Sequence, residues 1–89
     1  ERFVGQTFSA TVSGVATYGA YVRLDNTAEG LIPCKNLGLE YFALDPVQHR
    51  LTGQDTGASY RLAQRLAVVL VSADPRARRL DFRPARDER

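Results

Sequence analysis

The sequence is poor in the residues that most catalytic and metal-binding sites use. Its 89 residues include one cysteine, Cys34, and one histidine, His49, with neither tryptophan nor methionine. One cysteine cannot form an internal disulfide or a thiolate metal cluster, and one histidine excludes most zinc sites and most histidine-based catalytic schemes. The chain also lacks a phosphate loop of the G-x-x-x-x-G-K-[ST] type, and its acids are scattered over turns. We therefore expect no catalytic residue, metal site or cofactor within this domain.

No apolar segment approaches the length of a membrane span. The longest uninterrupted run covers residues 66–71, whereas a helix that crosses a bilayer needs about 20 apolar residues. The composition, with 44% hydrophobic and 25% charged residues, is typical of one small globular domain. The chain begins at Glu1 without a signal peptide. We expect a piece of a longer cytoplasmic protein with no membrane partner.

Positive charge is concentrated in the C-terminal third of the chain. Residues 61–89 contain eight arginines and four acids, whereas residues 1–60 contain four basic and six acidic residues. A local excess of arginine favours a polyanionic partner such as nucleic acid. A solvated basic tail is the alternative explanation of the same pattern.

Short segments of alternating or continuous apolar character predict an all-β fold. The first alternates cleanly, with Phe8 on the inward face, and Pro33 ends the third because proline cannot donate to a strand ladder. The fourth is almost wholly apolar and is expected at the centre of the core. The five predicted strands are residues 8–12, 18–24, 29–32, 65–72 and 78–83.

A long connection separates the third and fourth strands and is expected to carry structure of its own. Strand character at residues 41–44 and 50–52 predicts an inserted hairpin, and residues 36–38 predict a helical turn. His49 is either a core residue of this hairpin or an exposed contact. The sequence thus predicts a five-stranded antiparallel OB-fold barrel with a hairpin inserted between strands 3 and 4. This domain covers residues 1–83, and residues 84–89 are expected to form a flexible charged tail.

Two tyrosines in the second predicted strand, Tyr18 and Tyr21, are candidates for base stacking. Alternation places Tyr21 outward, on the same face as Arg23, but leaves Tyr18 either at the rim of the core or outside it. A bulge at Gly19 would shift the register by one residue and turn both rings outward. Exposed aromatic rings next to cations bind single-stranded nucleic acid by stacking bases and holding phosphates.

Several motifs resemble those of the S1 RNA-binding domain, an OB-fold module. They are G-Q-T-F-S-A-T-V-S-G-V, Y-G-A-Y-V-R-L, E-G-L-I-P and V-S-A-D-P-R-A-R-R-L-D-F. In such domains two aromatic residues on the second strand stack RNA bases, and this position corresponds to Tyr18 and Tyr21. The resemblance also implies an acid and a base at the last turn, which correspond to Asp74 and Arg78.

The long connection narrows the resemblance further. The order H-R-L-x-G-x-x-T-G followed by Y-R-L is similar to the S1 domain of ribonuclease R and ribonuclease II-type exoribonucleases. The resemblance implies a magnesium-dependent 3′→5′ exoribonuclease as the parent, with its catalytic carboxylates outside this chain. Two positions depart from the family pattern: Pro33 stands where many S1 domains have histidine, and Ala63-Gln64 replaces a Gly-Asp turn.

We expect a domain that binds single-stranded RNA and packs against neighbouring domains of the parent enzyme. The alternative function is that of a packing module whose exposed face docks on another domain, because protein interfaces also favour tyrosine and arginine. The predicted RNA-binding residues are Tyr18, Tyr21, Arg23, Lys35, Asp74, Arg78 and Arg79.

Overall fold

The computed structural model describes residues 4–74, 76 and 79–85. Within these ranges no helix is long and apolar enough to cross a membrane. The elements, in chain order, are β1 (Thr7–Ala16), β2 (Gly19–Leu24), β3 (Glu29–Pro33), α1 (Cys34–Leu37), β4 (Phe42–Asp45), β5 (Arg50–Gly53), β6 (Ser59–Arg61), β7 (Arg65–Asp74) and β8 (Arg79–Pro84).

Five of these strands form a closed barrel in the order β1-β2-β3-β8-β7. Four of the five seams are antiparallel, and the seam between β3 and β8 is parallel, with Leu31 opposite Asp81. The predicted OB-fold barrel is therefore confirmed, with one parallel seam that closes it. Closure leaves no strand edge open to pairing with another chain.

The core of the barrel is built from the inward residues of every strand. Alternation along β2 buries Ala20, Val22 and Leu24, as the period of a strand requires. Fully burying an aliphatic or phenylalanine side chain stabilises a fold by about 1.5–3 kcal/mol. Phe8, predicted as core, is half-buried and packs edge-on against Phe82, with ring centroids 6.5 Å apart. The largest fully buried side chains are Phe82, Ile32, Leu51, Val12, Val22 and Val68.

The parallel pairing of β3 with β8 depends on a close approach between the backbone of Gly30 and the ring of Phe82. A Cβ added at Gly30 would lie 2.7 Å from the Leu80 carbonyl oxygen and 2.8 Å from Cδ2 of Phe82, and closer still to Cε2. Only glycine leaves room for the ring at this point of β3. The absence of one side chain thus lets β8 pack against β3 and close the barrel.

The insertion between β3 and β7 is a three-stranded antiparallel sheet in the order β4-β5-β6. The predicted hairpin is present as β4 and β5, and a third strand, β6, extends it. Phe42 and Leu51 are buried on its inner face. Tyr60 packs against Phe42 there, with ring centroids 6.2 Å apart. His49, which the sequence left open, is exposed in the turn between β4 and β5 with φ of 52°.

The carboxylate of Glu40 holds the turn between β5 and β6. It accepts hydrogen bonds from the Asp55 amide at 2.7 Å, the Thr56 amide at 2.9 Å and the Thr56 hydroxyl at 2.6 Å. The Thr56 hydroxyl is the largest cause of a lowered pKa for Glu40. These contacts give a physical role to the threonine in the T-G motif that the sequence analysis singled out.

The structure differs from the sequence prediction at the end of the barrel and adds a detail at the turn before β7. The barrel continues past residue 83, because Pro84 is buried opposite Val68 and the Ala85 amide donates to the Ala67 carbonyl at 2.9 Å. The rest of the predicted tail, residues 86–89, lies outside the described residues. Ala63 has φ of 69°, a left-handed conformation in which glycine carries no steric cost.

The Gly30 contact predicts a strongly position-dependent effect of adding one methyl group. Gly30→Ala should lower the free energy of unfolding by about 1–3 kcal/mol, because the core must move to admit the methyl group. Gly14→Ala is the matched control, since its Cβ would meet only the Tyr21 ring at an ordinary 3.7 Å, and its effect should stay within about 0.5 kcal/mol. Chemical denaturation measures both values. Equal stability of the two variants would contradict the proposed role of Gly30.

Candidate nucleic-acid interface

The hairpin turn between β2 and β3 determines which outward residues face one another. The Leu24 amide donates to the Ala28 carbonyl at 2.7 Å, and the Asn26 side-chain oxygen accepts from the Ala28 amide at 3.0 Å. In the resulting register Tyr21 lies opposite Leu31 and Gly19 opposite Pro33. Residues that face each other across an antiparallel pair share one face of the sheet. The outward side chains of β2 and β3 therefore form one surface.

Both tyrosines face solvent, as predicted, but not for the reason expected. Tyr18 is 55% exposed and Tyr21 41% exposed. The predicted bulge at Gly19 is wrong: Gly19 pairs regularly with Ala16 on one side and Pro33 on the other. Tyr18 instead lies in the two-residue turn before β2, where the alternation of a strand does not apply.

The irregularity lies on the neighbouring strand. The pairing of β1 with β2 shifts between Val12 and Gly14, opposite Tyr21. Gly19 has a separate reason to be glycine: a Cβ there would lie 3.0 Å from Cα of Pro33 and closer still to the Ile32 carbonyl oxygen. Close approach of the β3 backbone, and not a bulge, accounts for the glycine between the tyrosines.

The two tyrosines form an edge-to-face pair. Their ring centroids are 5.9 Å apart, their planes are perpendicular, and their hydroxyls are hydrogen-bonded to each other. That hydrogen bond is the largest cause of the raised pKa of Tyr21, which the positive charge of Arg79 opposes. The pair presents two ring faces at right angles, so a base that stacks on one ring meets the edge of the other.

An open groove of roughly 540 Å³ lies beside the tyrosine pair. Its walls come from β2, β3 and β8, and they combine apolar side chains with one acid and one base. A mixed lining of this kind can hold the flat faces of bases together with a charged backbone. The residues that line it are Tyr18, Tyr21, Glu29, Gly30, Leu31, Pro33, Arg79 and Leu80.

Arg79 is the predicted cation that the fold brings into the groove. Its Nε donates to Oδ1 of Asp81 at 2.8 Å, and its side chain remains 53% exposed. The carboxylate raises the pKa of Arg79, so the guanidinium stays charged. Asp74 lies opposite Arg79 in the pairing of β7 with β8, next to the groove but not in its lining.

Two other predicted cations, Arg23 and Lys35, lie apart from the groove. Arg23 is on β2, where its guanidinium contacts Glu29 Oε2 at 2.9 Å and lines a separate depression on the side of β1. Lys35 is exposed on α1 and does not line the groove. Arg78 lies outside the described residues.

Five residues of the groove were not among the predicted contacts: Glu29, Gly30, Leu31, Pro33 and Leu80. A signal for two of them was present in the sequence. A turn centred on residues 25–27 pairs residue 21 with residue 31 and residue 19 with residue 33, so Leu31 and Pro33 had to flank the tyrosines. Pro33 supplies an apolar wall of the groove. Leu80 could not be placed in this way, because it approaches across the parallel seam.

The barrel and its aromatic face define a class of protein, and comparison with known families agrees. The model of the S1 RNA-binding domain matches residues 1–83. The chain belongs to the S1 RNA-binding domain family.

The relatives of the chain point to one group of proteins that contain an S1 domain. It is 34% identical over 87 residues to ribonuclease R of Escherichia coli (strain K12). The aligned region covers 97% of this chain and 11% of that protein. It is 32% identical over 80 residues to ribonuclease R of Vibrio cholerae, over 89% of this chain and 10% of that protein. The chain thus spans about a tenth of the length of these relatives.

A solved structure shows the same fold in a related protein. RNase R of Mycoplasma genitalium in complex with ribose-methylated single-stranded RNA matches with a TM-score of 0.84 and 26% identity. The match covers 94% of this chain and 13% of that one. This chain is therefore similar in sequence and in fold to the S1 domain of ribonuclease R.

The tyrosine hydrogen bond makes a prediction about titration. Removing the Tyr18 hydroxyl in Tyr18→Phe should lower the pKa of Tyr21, because both the hydrogen bond and the charge of Tyr18 raise it. NMR of tyrosine labelled at Cζ follows each phenol separately as the pH rises. Tyr60→Phe, in the insertion, is the control and should leave the pKa of Tyr21 unchanged. An unchanged or higher pKa of Tyr21 in Tyr18→Phe would show that the hydroxyls are not paired in solution.

Proposed function

We propose that this chain is an accessory domain that binds single-stranded RNA through the groove beside Tyr18 and Tyr21. The observation that carries the proposal is the convergence of both tyrosines and Arg79 on one groove, although they come from different segments of the chain. The rings stack bases, and the guanidinium contacts phosphate. Stacking tolerates any base, because every base has a π-face.

The comparisons with known proteins support two parts of this proposal, that the ligand is RNA and that it is single-stranded. The family is one of RNA-binding domains, and the related RNase R of M. genitalium is in complex with single-stranded RNA. The groove fits a single strand, since its aromatic surfaces need bases that are unstacked from a partner strand. In this proposal Lys35 and Asp74 lie along the path of the strand beyond the groove, and Arg78 remains a predicted contact from the sequence.

We further propose that the parent protein is a 3′→5′ exoribonuclease of the ribonuclease R type that acts in the cytoplasm. Its catalytic carboxylates and Mg²⁺ would lie outside this chain. Among the described residues no group of three or more metal-ligating side chains is close enough to hold a cation. This domain would hold the substrate strand near the nuclease, and binding energy supplied at a distance would then favour catalysis.

A docking function for the insertion has one observation in its favour. Leu39 is 105% exposed, Tyr41 69% and Val47 85%, and all three belong to the insertion or to the segment that leads into it. Apolar side chains exposed in one segment are candidates for a protein interface, because exposed apolar patches mark interaction sites. We propose that a neighbouring domain of the parent contacts this side and leaves the groove open to RNA.

RNA binding is tested by fluorescence anisotropy with a labelled single strand of about 12 nucleotides, which is within the site sizes of OB folds. Tyr18→Ala and Tyr21→Ala should each weaken binding about tenfold, because each removes the stacking of one base. Arg79→Ala should weaken binding and reduce the slope of log K against log salt by about 0.7, the value for one phosphate contact on a single strand.

Tyr41→Ala provides the matched control for these variants. It removes a ring of the same size that is more exposed than either groove tyrosine, but from the insertion rather than from the groove. Its affinity for RNA should equal that of the unaltered chain. If the unaltered chain does not bind at low salt, or if all three tyrosine variants bind alike, the groove is not the RNA site.

A further inference from the structure

Three arginines on the outer surface of the barrel are each paired with a carboxylate. Arg23 contacts Glu29 at 2.9 Å, and Arg65 contacts Asp25 at 2.8 Å. The third pair, Arg79 with Asp81, is described above. Two of the cations predicted to contact RNA, Arg23 and Arg79, are therefore already partly neutralised within the chain, and phosphate has to compete with carboxylate for them.

Glu29 is the acid best placed for this competition. It lines the groove, whereas its partner Arg23 lines the depression on the other side of β2. The ion pair between Arg23 and Glu29 thus spans the boundary between the groove and this depression. Both side chains are well exposed, 58% for Arg23 and 60% for Glu29. Exposed ion pairs contribute little to stability and are readily exchanged.

The other two acids do not share this position. Asp25 does not line the groove, so a strand bound there need not displace it from Arg65. Asp81 is only 24% exposed, lies opposite Leu31 in the parallel seam, and is also close to the Ser72 hydroxyl. It orients Arg79 as part of the barrel wall. Glu29 alone among these acids lies in the groove at high exposure.

We propose that Glu29 sets the affinity of the groove for RNA by competing with phosphate for Arg23. The inference rests on the proposed function. When a strand binds, a phosphate replaces the Glu29 carboxylate on the Arg23 guanidinium, and the carboxylate turns into solvent. Because the carboxylate is already exposed, its release has little desolvation cost. The exchange weakens the hold on each phosphate and lets a strand move through the groove.

Glu29→Gln tests the proposal with the same labelled RNA. It keeps the shape of the side chain but removes the charge that holds Arg23. Affinity should rise about two- to fivefold at low salt, as expected for an exposed ion pair that no longer competes. The slope of log K against log salt should steepen by at most about 0.7, the value of one phosphate contact, because the displaced carboxylate of the unaltered chain takes up a cation and offsets part of the cation release.

Two controls separate competition from a general effect of charge. Asp55→Asn changes the net charge equally, but in the turn of the insertion, and should leave affinity and slope unchanged. In a double variant, Arg23→Ala with Glu29→Gln, the gain should disappear relative to Arg23→Ala alone, because Glu29 acts through Arg23.

Each other outcome overturns the proposal. Equal gains in Glu29→Gln and Asp55→Asn would indicate a general charge effect, and a gain that persists without Arg23 would indicate direct repulsion between Glu29 and RNA. Unchanged or weaker binding in Glu29→Gln would show that the acid does not compete. Failure of the proposed function is distinguishable, because the unaltered chain would then not bind RNA at all.

Discussion

The contact between the Phe82 ring and the backbone of Gly30 is the constraint on which the rest of the structure depends. It lets β8 approach β3 closely enough to close the barrel through a parallel seam. That seam places Leu80 and Arg79 beside the outward face of β2 and β3, where Tyr21 lies. Core packing and the candidate site are therefore not independent, because a barrel that opens at this seam loses one wall of the groove.

The surface around the groove combines attraction with internal competition. Aromatic and apolar side chains provide contacts that do not depend on salt. Three arginines are paired with acids: Arg23 with an acid on the neighbouring strand, Arg65 with one in a turn and Arg79 with one on its own strand. Phosphate contacts usually supply most of the affinity of a nucleic-acid-binding protein. A face whose cations are partly neutralised will depend more on stacking by Tyr18 and Tyr21. Such a face suits a domain that holds a strand while the strand moves.

Much of the fold follows from local patterns in the sequence. Alternation, or for the fourth strand a continuous apolar run, located the five barrel strands, and turn residues located the hairpins, because those signals depend on neighbours in the chain. The exposure of Tyr21 followed from the same period. Tyr18 was harder, since its position depends on whether one residue belongs to a strand or to a turn. The third strand of the insertion, the irregularity opposite Tyr21, and the meeting of Leu80 with the tyrosines depend on pairing between distant segments, which periodicity does not reveal.

The central claim is that RNA binds in the groove between β2, β3 and β8. NMR of the ¹⁵N-labelled chain, titrated with a short single-stranded RNA, tests it most directly. We expect the largest changes in amide chemical shift on Tyr21, Leu31 and Arg79, while those of Ala43 and Thr52 in the insertion should stay small. Changes centred on the insertion, or no change at saturating RNA, would contradict it.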